Sequence, residues 1–256
     1  MTLRLRLWAA AKIALLHFLL SVLLAGLTAA LVFGLWYPYP YRELSGGREL
    51  FWLVVGVDVV CGPLLTLVLY SPSKPRAELL RDLASVALLQ LAALGYGLYT
   101  VAQARPVYLV FEVDRFHAVS VADIEPNALK PELGGLHVLP WTGPKVIGVR
   151  AARDSQEKLH SLEQSLSGLE PSVRPDWWQP YDLSRSQALA HSKPLAALRQ
   201  KHPSDAAAID RAVADAKRPE AALGWLPVTS FRSTQWVALV DMQTADVLAF
   251  APVDGF

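Results

Sequence analysis

Two scarcities limit what this 256-residue chain can be. It holds one cysteine, Cys61, so an intrachain disulfide, a CxxC redox pair and a cysteine-built zinc site are excluded. Only 18% of its residues are charged and 53% are hydrophobic, against about a quarter charged in an ordinary soluble domain. There is no charge block, low-complexity tract, internal repeat or concentrated basic face, so nucleic acid is not an expected partner. HExxH, GxSxG, a P-loop and a GxGxxG after a strand are missing. His117, His137, His160, His191 and His202 are scattered without ligand spacing. No catalytic set, metal site or cofactor is therefore expected, and the protein does not read as an enzyme.

The shortage of charge is uneven. Before residue 104 the chain carries eight Lys and Arg and five Asp and Glu, net +3; beyond it the numbers are 16 and 18, net −2. That asymmetry rules out one soluble domain. It predicts a membrane domain over residues 1–103 and an extramembrane domain over 104–256. Three runs reach the roughly 20 apolar residues a bilayer span needs: 13–37, 50–70 and 83–102. A cleaved signal is the rival reading of the first. Its apolar core is too long for one, and it ends in Trp36, Tyr37, Tyr39 and Tyr41, which suit a headgroup belt better than a small-residue cleavage site.

Cations near the spans set the expected orientation. Arg4, Arg6 and Lys12 precede the first run, and Lys74, Arg76 and Arg81 lie between the second and third. The loop 38–49 instead balances Arg42 and Arg48 with Glu43 and Glu49, and reads as a solvated, self-neutralised connection. The positive-inside rule puts the amino terminus in the cytoplasm and residues 104–256 on the far side, the periplasm of a bacterium with two membranes.

Features at helix-contact spacing mark the spans. Gly26, Ala30 and Gly34 fall four apart on the first, and Ala93 and Gly97 on the third. They suit either packing among the protein's own helices, the simpler reading, or docking of another protein's span. Asp58 is the mid-span acid, a group costing about 2.5–3.5 kcal/mol to insert and so expected to face protein or water. Cys61 and Gly62, three and four residues on, are expected on its helical face. Pro63 removes the amide donor of the Val59 carbonyl. Asp58 either bonds inside the bundle, to Thr66, His17 or a backbone group, or meets a partner's span.

Beyond residue 104 the pattern is α+β with antiparallel strands. Strands are expected at 107–113, 116–121, 145–149, 226–231, 235–240 and 247–252, with Asp114-Arg115 as the first turn. The best helix runs over 154–169, with Asp154 and Glu157 at capping-box spacing and Leu159, Leu162, Leu166 and Leu169 in one apolar stripe. Helices over 182–200, broken near Pro194, and over 204–217, capped by Ser204, follow. Asp114, Asp241 and Asp246 read as turn residues rather than metal ligands. Trp177-Trp178 is ambiguous, because neighbouring residues point to different sides: a core anchor with a rim residue, or a contact surface.

Three segments resemble the TfpX/TfpZ family of type IV pilin accessory proteins: the 56–66 run with Asp58, Gly62 and Pro63, the Val113-Asp114-Arg115-Phe116 segment, and the ending from Leu226 through Trp236 and Asp241 to Leu248. Ala245 stands where a glycine would suit the turn better. The resemblance implies an inner-membrane accessory factor for pilus assembly, not an enzyme, with the major pilin and possibly the assembly machinery as partners and the bilayer as its setting. Under it, Asp58, Gly62, Pro63, Gly26, Ala30 and Gly34 would hold a pilin helix, while Trp177 and Trp178 would contact the pilin head. The alternative is a membrane-tethered periplasmic sensor or ligand-binding module, although the cytoplasmic side offers it only a tail and a loop.

Overall fold

The computed structural model describes residues 3–256. Among them, three helices are long and apolar enough to cross a membrane. The first, α1 (Leu3–Leu31), continues into a π-helical turn over Val32–Trp36. After the short α2 (Tyr41–Leu44) come α3 (Gly47–Leu69) and α4 (Arg76–Gln103). The chain forms two compact units. One comprises residues 1–38 and 46–103, the other residues 39–45 and 104–256.

In the first unit α3 is the shared neighbour of α1 and α4. Its inward stripe is Phe51, Val55, Asp58, Gly62 and Thr66, at helical spacing. The opposite sides carry leucines such as Leu23, Leu53, Leu64, Leu88 and Leu91, each more than half exposed, as a lipid-facing surface requires. The π turn bonds the Tyr37 amide to the Val32 carbonyl at 2.7 Å and sets Trp36 and Tyr37 inward with Val32, Phe51, Val55 and Val101. The Tyr37 hydroxyl donates to the Val101 carbonyl at 3.0 Å. Of the four aromatics expected in a headgroup belt, Trp36, Tyr37 and Tyr41 are buried in protein, and only Tyr39 is exposed. Amphipathic rings satisfy their polar ends inside the fold as readily as at a headgroup.

The second unit is a mixed sheet with helices. Its elements are β1 (Pro106–Glu112), β2 (Arg115–Ser120), β3 (Lys145–Val149), α5 (Ser155–Leu166), β4 (Trp178–Pro180), α6 (Arg185–His191), β5 (Lys193–Pro194), α7 (Leu195–Lys201), α8 (Ala206–Ala216), β6 (Leu223–Ser230), β7 (Trp236–Asp241) and β8 (Val247–Ala251). The strand order is β4-β3-β1-β2-β6-β7-β8, with β5 added beside β6. β1 with β3 and β2 with β6 run parallel, and the other pairings are antiparallel. Strands β1, β6 and β7 are buried almost without interruption, because both faces of the sheet are covered.

On one face α7 and α8 pack Leu195, Leu198, Ile209 and Ala212 against Trp225, Val237 and Leu239. On the other, Leu226, Val228, Ala238 and Val240 are covered by Tyr41, Leu44, Tyr181 and Ala188. Tyr41 and Leu44 come from the loop between the first two spans. Tyr41 lies edge-on to Phe250 at 5.7 Å and Tyr39 to Trp236 at 6.4 Å, while Ser230 Oγ donates to the Leu44 carbonyl at 2.6 Å. The loop is therefore part of a domain core and not simply solvated. Arg42 pairs with Glu43 at 3.3 Å, and the Arg42 Nε and one Glu43 carboxylate oxygen are themselves buried, whereas Arg48 and Glu49 are exposed.

Three local expectations change. The first hairpin turns at Val113-Asp114, not Asp114-Arg115, since Glu112 and Arg115 are paired in the ladder. The Asp114 amide bonds the Glu112 carbonyl at 2.7 Å, closing a three-residue turn around Val113 at φ 56, a strained backbone for a β-branched residue. Helix α8 follows a 3-10 turn over Pro203–Asp205 and has no side-chain cap bond, so Ser204 is not its cap. The Leu159, Leu162 and Leu166 stripe of α5 is 59%, 59% and 84% exposed; α5 packs through Ser161, its one buried residue, instead. Ala245 takes φ 60, the left-handed backbone that favours glycine.

Candidate functional site

In the membrane unit, two pairs of polar side chains link neighbouring spans. Gln90 of α4 donates from Nε2 to the Asp58 carbonyl at 2.9 Å and to Asp58 Oδ1 at 3.2 Å. His17 Nδ1 of α1 lies 2.6 Å from Thr66 Oγ1 of α3. Asp58 thus bonds inside the bundle, but to Gln90 rather than to Thr66 or His17, which satisfy each other. Gly62 makes the first pair possible. A Cβ there would fall 2.1–2.2 Å from the Gln90 carboxamide, so only a glycine lets that group lie against α3. Cys61 is exposed and does not share the buried face; at three residues from Asp58 it falls on the lipid side of a stripe that returns at Gly62. α3 runs unbroken through Pro63. Gln90 is not among the residues singled out from the sequence, although a lone amide between Leu89 and Leu91 in the third span is the same signal that marks Asp58.

The small-residue stripe on α1 has a different setting. Gly26, Ala30 and Gly34 are exposed, and a Cβ at either glycine would meet nothing within 4 Å. Packing among the protein's own helices therefore does not explain them. On α4, Ala93 is also exposed, whereas Gly97 is buried with its face open to Val54, whose Cγ1 would lie 2.4 Å from an added Cβ.

In the α+β unit, Trp177 and Trp178 are both buried, at 5% and 6% exposure, so neither is a free contact residue. Trp178 donates from Nε1 to the Ser172 carbonyl at 2.8 Å and meets the edge of Tyr108 at 4.9 Å. The Trp177 ring has the guanidiniums of Arg150 and Arg174 at 4.5 and 4.9 Å from its centre. Both rings are packed within the domain, Trp178 against Tyr108 and Trp177 under the two arginines.

Arg150 also clamps Glu157 with two bonds of 2.8 and 2.9 Å. Asp154 caps α5 by accepting the Glu157 amide at 2.7 Å, and Glu157 reaches back to the Arg153 amide at 2.5 Å. Arg150, then the Arg153 amide, hold the Glu157 carboxyl at about 2, below its ordinary 4.5. A depressed carboxylate stabilises the fold above its unfolded value and loses that contribution as pH falls through the folded one. The unfolding temperature should therefore drop between pH 4.5 and about 2, and a Glu157→Gln variant should show a shallower drop in thermal melts across that window. An equal slope in both proteins would refute this origin.

The turn aspartates are engaged, partly within their turns and partly by distant arginines, as when Arg218 lies 3.4 Å from Asp241. Asp241 Oδ1 accepts the Gln243 amide at 2.8 Å, and Asp246 pairs with Arg185 at 2.5 Å. Asp114 lies 2.8 Å from Arg115. Among the described residues, no group of three or more His, Cys, Asp or Glu is placed to hold a metal ion.

Three spanning helices with internal polar pairs, bearing an α+β domain that borrows a segment between spans, define a polytopic membrane protein with a folded extramembrane domain. The family model Fimbrial assembly protein FimB matches residues 5–46, a stretch that includes Tyr41 and Leu44. The fimbrial assembly protein of Dichelobacter nodosus serogroup I is 34% identical over 251 residues, 96% of each chain. That of serogroup E1 matches with the same identity and coverage. A third, from serogroups C1 and C2, is 47% identical over 115 residues, 45% of this chain and 88% of its own. The chain belongs to the fimbrial assembly protein family. No solved structure matches it.

Proposed function

We propose that this protein is an inner-membrane accessory factor of type IV pilus assembly, of the TfpX/TfpZ kind, that handles the major pilin and is not an enzyme. The observation that carries the reading is full-length similarity to fimbrial assembly proteins, 96% of both chains, in a protein whose first 103 residues hold three candidate spans. In this reading the amino terminus is cytoplasmic and the α+β unit periplasmic. A pilin subunit awaiting extraction is held by its membrane helix against the exposed Gly26, Ala30 and Gly34 face, where small residues allow close approach. Asp58 and Gly62 act one step behind that face by fixing α3 to α4 through Gln90. Trp177 and Trp178 hold the shape of the outer domain and do not touch the pilin head themselves.

The test is complementation of a deletion strain. A Gly34→Leu variant should accumulate normally yet lower pilin co-purification about tenfold, the effect of losing about 1.4 kcal/mol of helix packing. Asp58→Ala should lower co-purification and surface piliation together. Wild-type pilin association and piliation in both variants would remove the spans from pilin handling.

A further inference from the structure

A groove of 870 Å³ runs between α5 and the ends of β1 and β3, with Leu159, Leu162, Val113, Val149 and Trp177 among its walls. It has two features that packing within the domain does not account for. The helix beside it turns its leucines outward. Val113, at its lip, is 63% exposed while held at φ 56. Strain kept to present an apolar side chain on a surface is a mark of sites that meet something else.

Glu112 supplies the chemistry. It is half-buried and lines both this groove and a second one of 570 Å³ on the other side of Val113, where Glu170 also stands. One of its oxygens accepts the Ser172 amide at 3.1 Å. Among the described residues no Lys or Arg nitrogen lies within 4 Å of it, unlike Asp114 or Glu157. Burial raises its carboxyl above the usual range; Glu170 adds repulsion, with the Ser172 bonds and the charge of Arg174 opposing. The walls also carry Arg150, which is clamped to Glu157, Asp154, which caps α5, and the exposed Lys158; Glu112, half-buried and without a close counterion, is the lining acid left to meet a cation that arrives on an apolar carrier.

We propose that this trough binds an apolar peptide segment of a partner protein, whose lysine or arginine pairs with Glu112 while its apolar side chains cover Leu159, Leu162 and Val113. The proposal goes beyond the role in pilus assembly and does not depend on which protein supplies the segment. The two can fail separately, since the span variants leave this groove untouched.

The test uses the full-length protein in nanodiscs and three 12-residue apolar probe peptides that differ only at the centre: lysine, norleucine or glutamate. The lysine peptide should bind about tenfold more tightly than the norleucine peptide, with glutamate weakest. Glu112→Gln should bring lysine and norleucine to within about twofold. Leu162→Glu should weaken all three, and because Leu162 is 59% exposed its melting curve should match the wild type. Absence of saturable binding by the lysine peptide, or undiminished lysine preference in Glu112→Gln, would overturn the proposal. So would a dimer that Leu162→Glu dissociates, which would assign the face to a second copy, or wild-type recruitment of anionic vesicles that Leu162→Glu abolishes, which would assign it to lipid.

Discussion

Truncating Leu44 to alanine should destabilise the α+β domain by about 2–5 kcal/mol, even though residue 44 lies between two membrane spans. Leu44 is fully buried against Leu226, Val228, Ala238 and Val240, and no residue beyond position 104 fills its place. The same physics predicts that a fragment of residues 104–256 will lack a cooperative fold, because one sheet face loses Tyr41 and Leu44 together and exposes an apolar patch. Limited proteolysis and near-ultraviolet dichroism of the full chain, its Leu44→Ala variant and the fragment report on this. Supplying a peptide of residues 39–45 should restore part of the fragment's protection. A fragment that unfolds at the same midpoint as the domain in the intact chain would show that the loop only decorates the sheet.

The second large effect concerns Trp178. Its replacement by alanine removes a buried ring, its edge contact with Tyr108 at 4.9 Å and a donor to the Ser172 carbonyl. The expected cost is about 3–5 kcal/mol. Trp178→Phe keeps most of the volume and loses the bond, so it should cost about 1–3 kcal/mol, the penalty for a buried acceptor left unsatisfied. Thermal melts of the full-length variants in detergent separate the two. A loss of partner binding in Trp178→Ala with no change in melting would instead return the residue to the role of contact surface.

Much of the secondary structure was legible because periodicity is local. The spans follow from apolar runs, and Lys145–Val149 is a strand over the residues its β-branched pattern marks. Asp154 caps α5 as its spacing to Glu157 requires. Illegible features depend on what a side chain faces. The leucines of α5 form the stripe their spacing predicts, but an apolar stripe does not say whether protein or an absent partner covers it. Gln90 went unmarked in the sequence, and its pairing with Asp58 crosses 32 residues and rests on the empty face of Gly62. Tyr41 and Leu44 looked like loop residues because the surface that buries them is made some 180 residues later, as the Leu44 to Ser230 bond shows with its separation of 186. Of the candidate site residues, position was readable and partnership was not.

The borrowed loop also carries a consequence for biogenesis. A domain core that needs residues 39–45 and 104–256 can close only when both have been delivered to the same side of the bilayer. A chain in which the second or third span fails to insert would strand the plug opposite its socket, leaving Leu226, Val228, Ala238 and Val240 uncovered. Membrane topology and domain folding thus share a checkpoint: the finished core requires the second and third spans to have crossed as a pair, and a molecule in which one of them failed displays its error as a greasy sheet face open to proteases and chaperones.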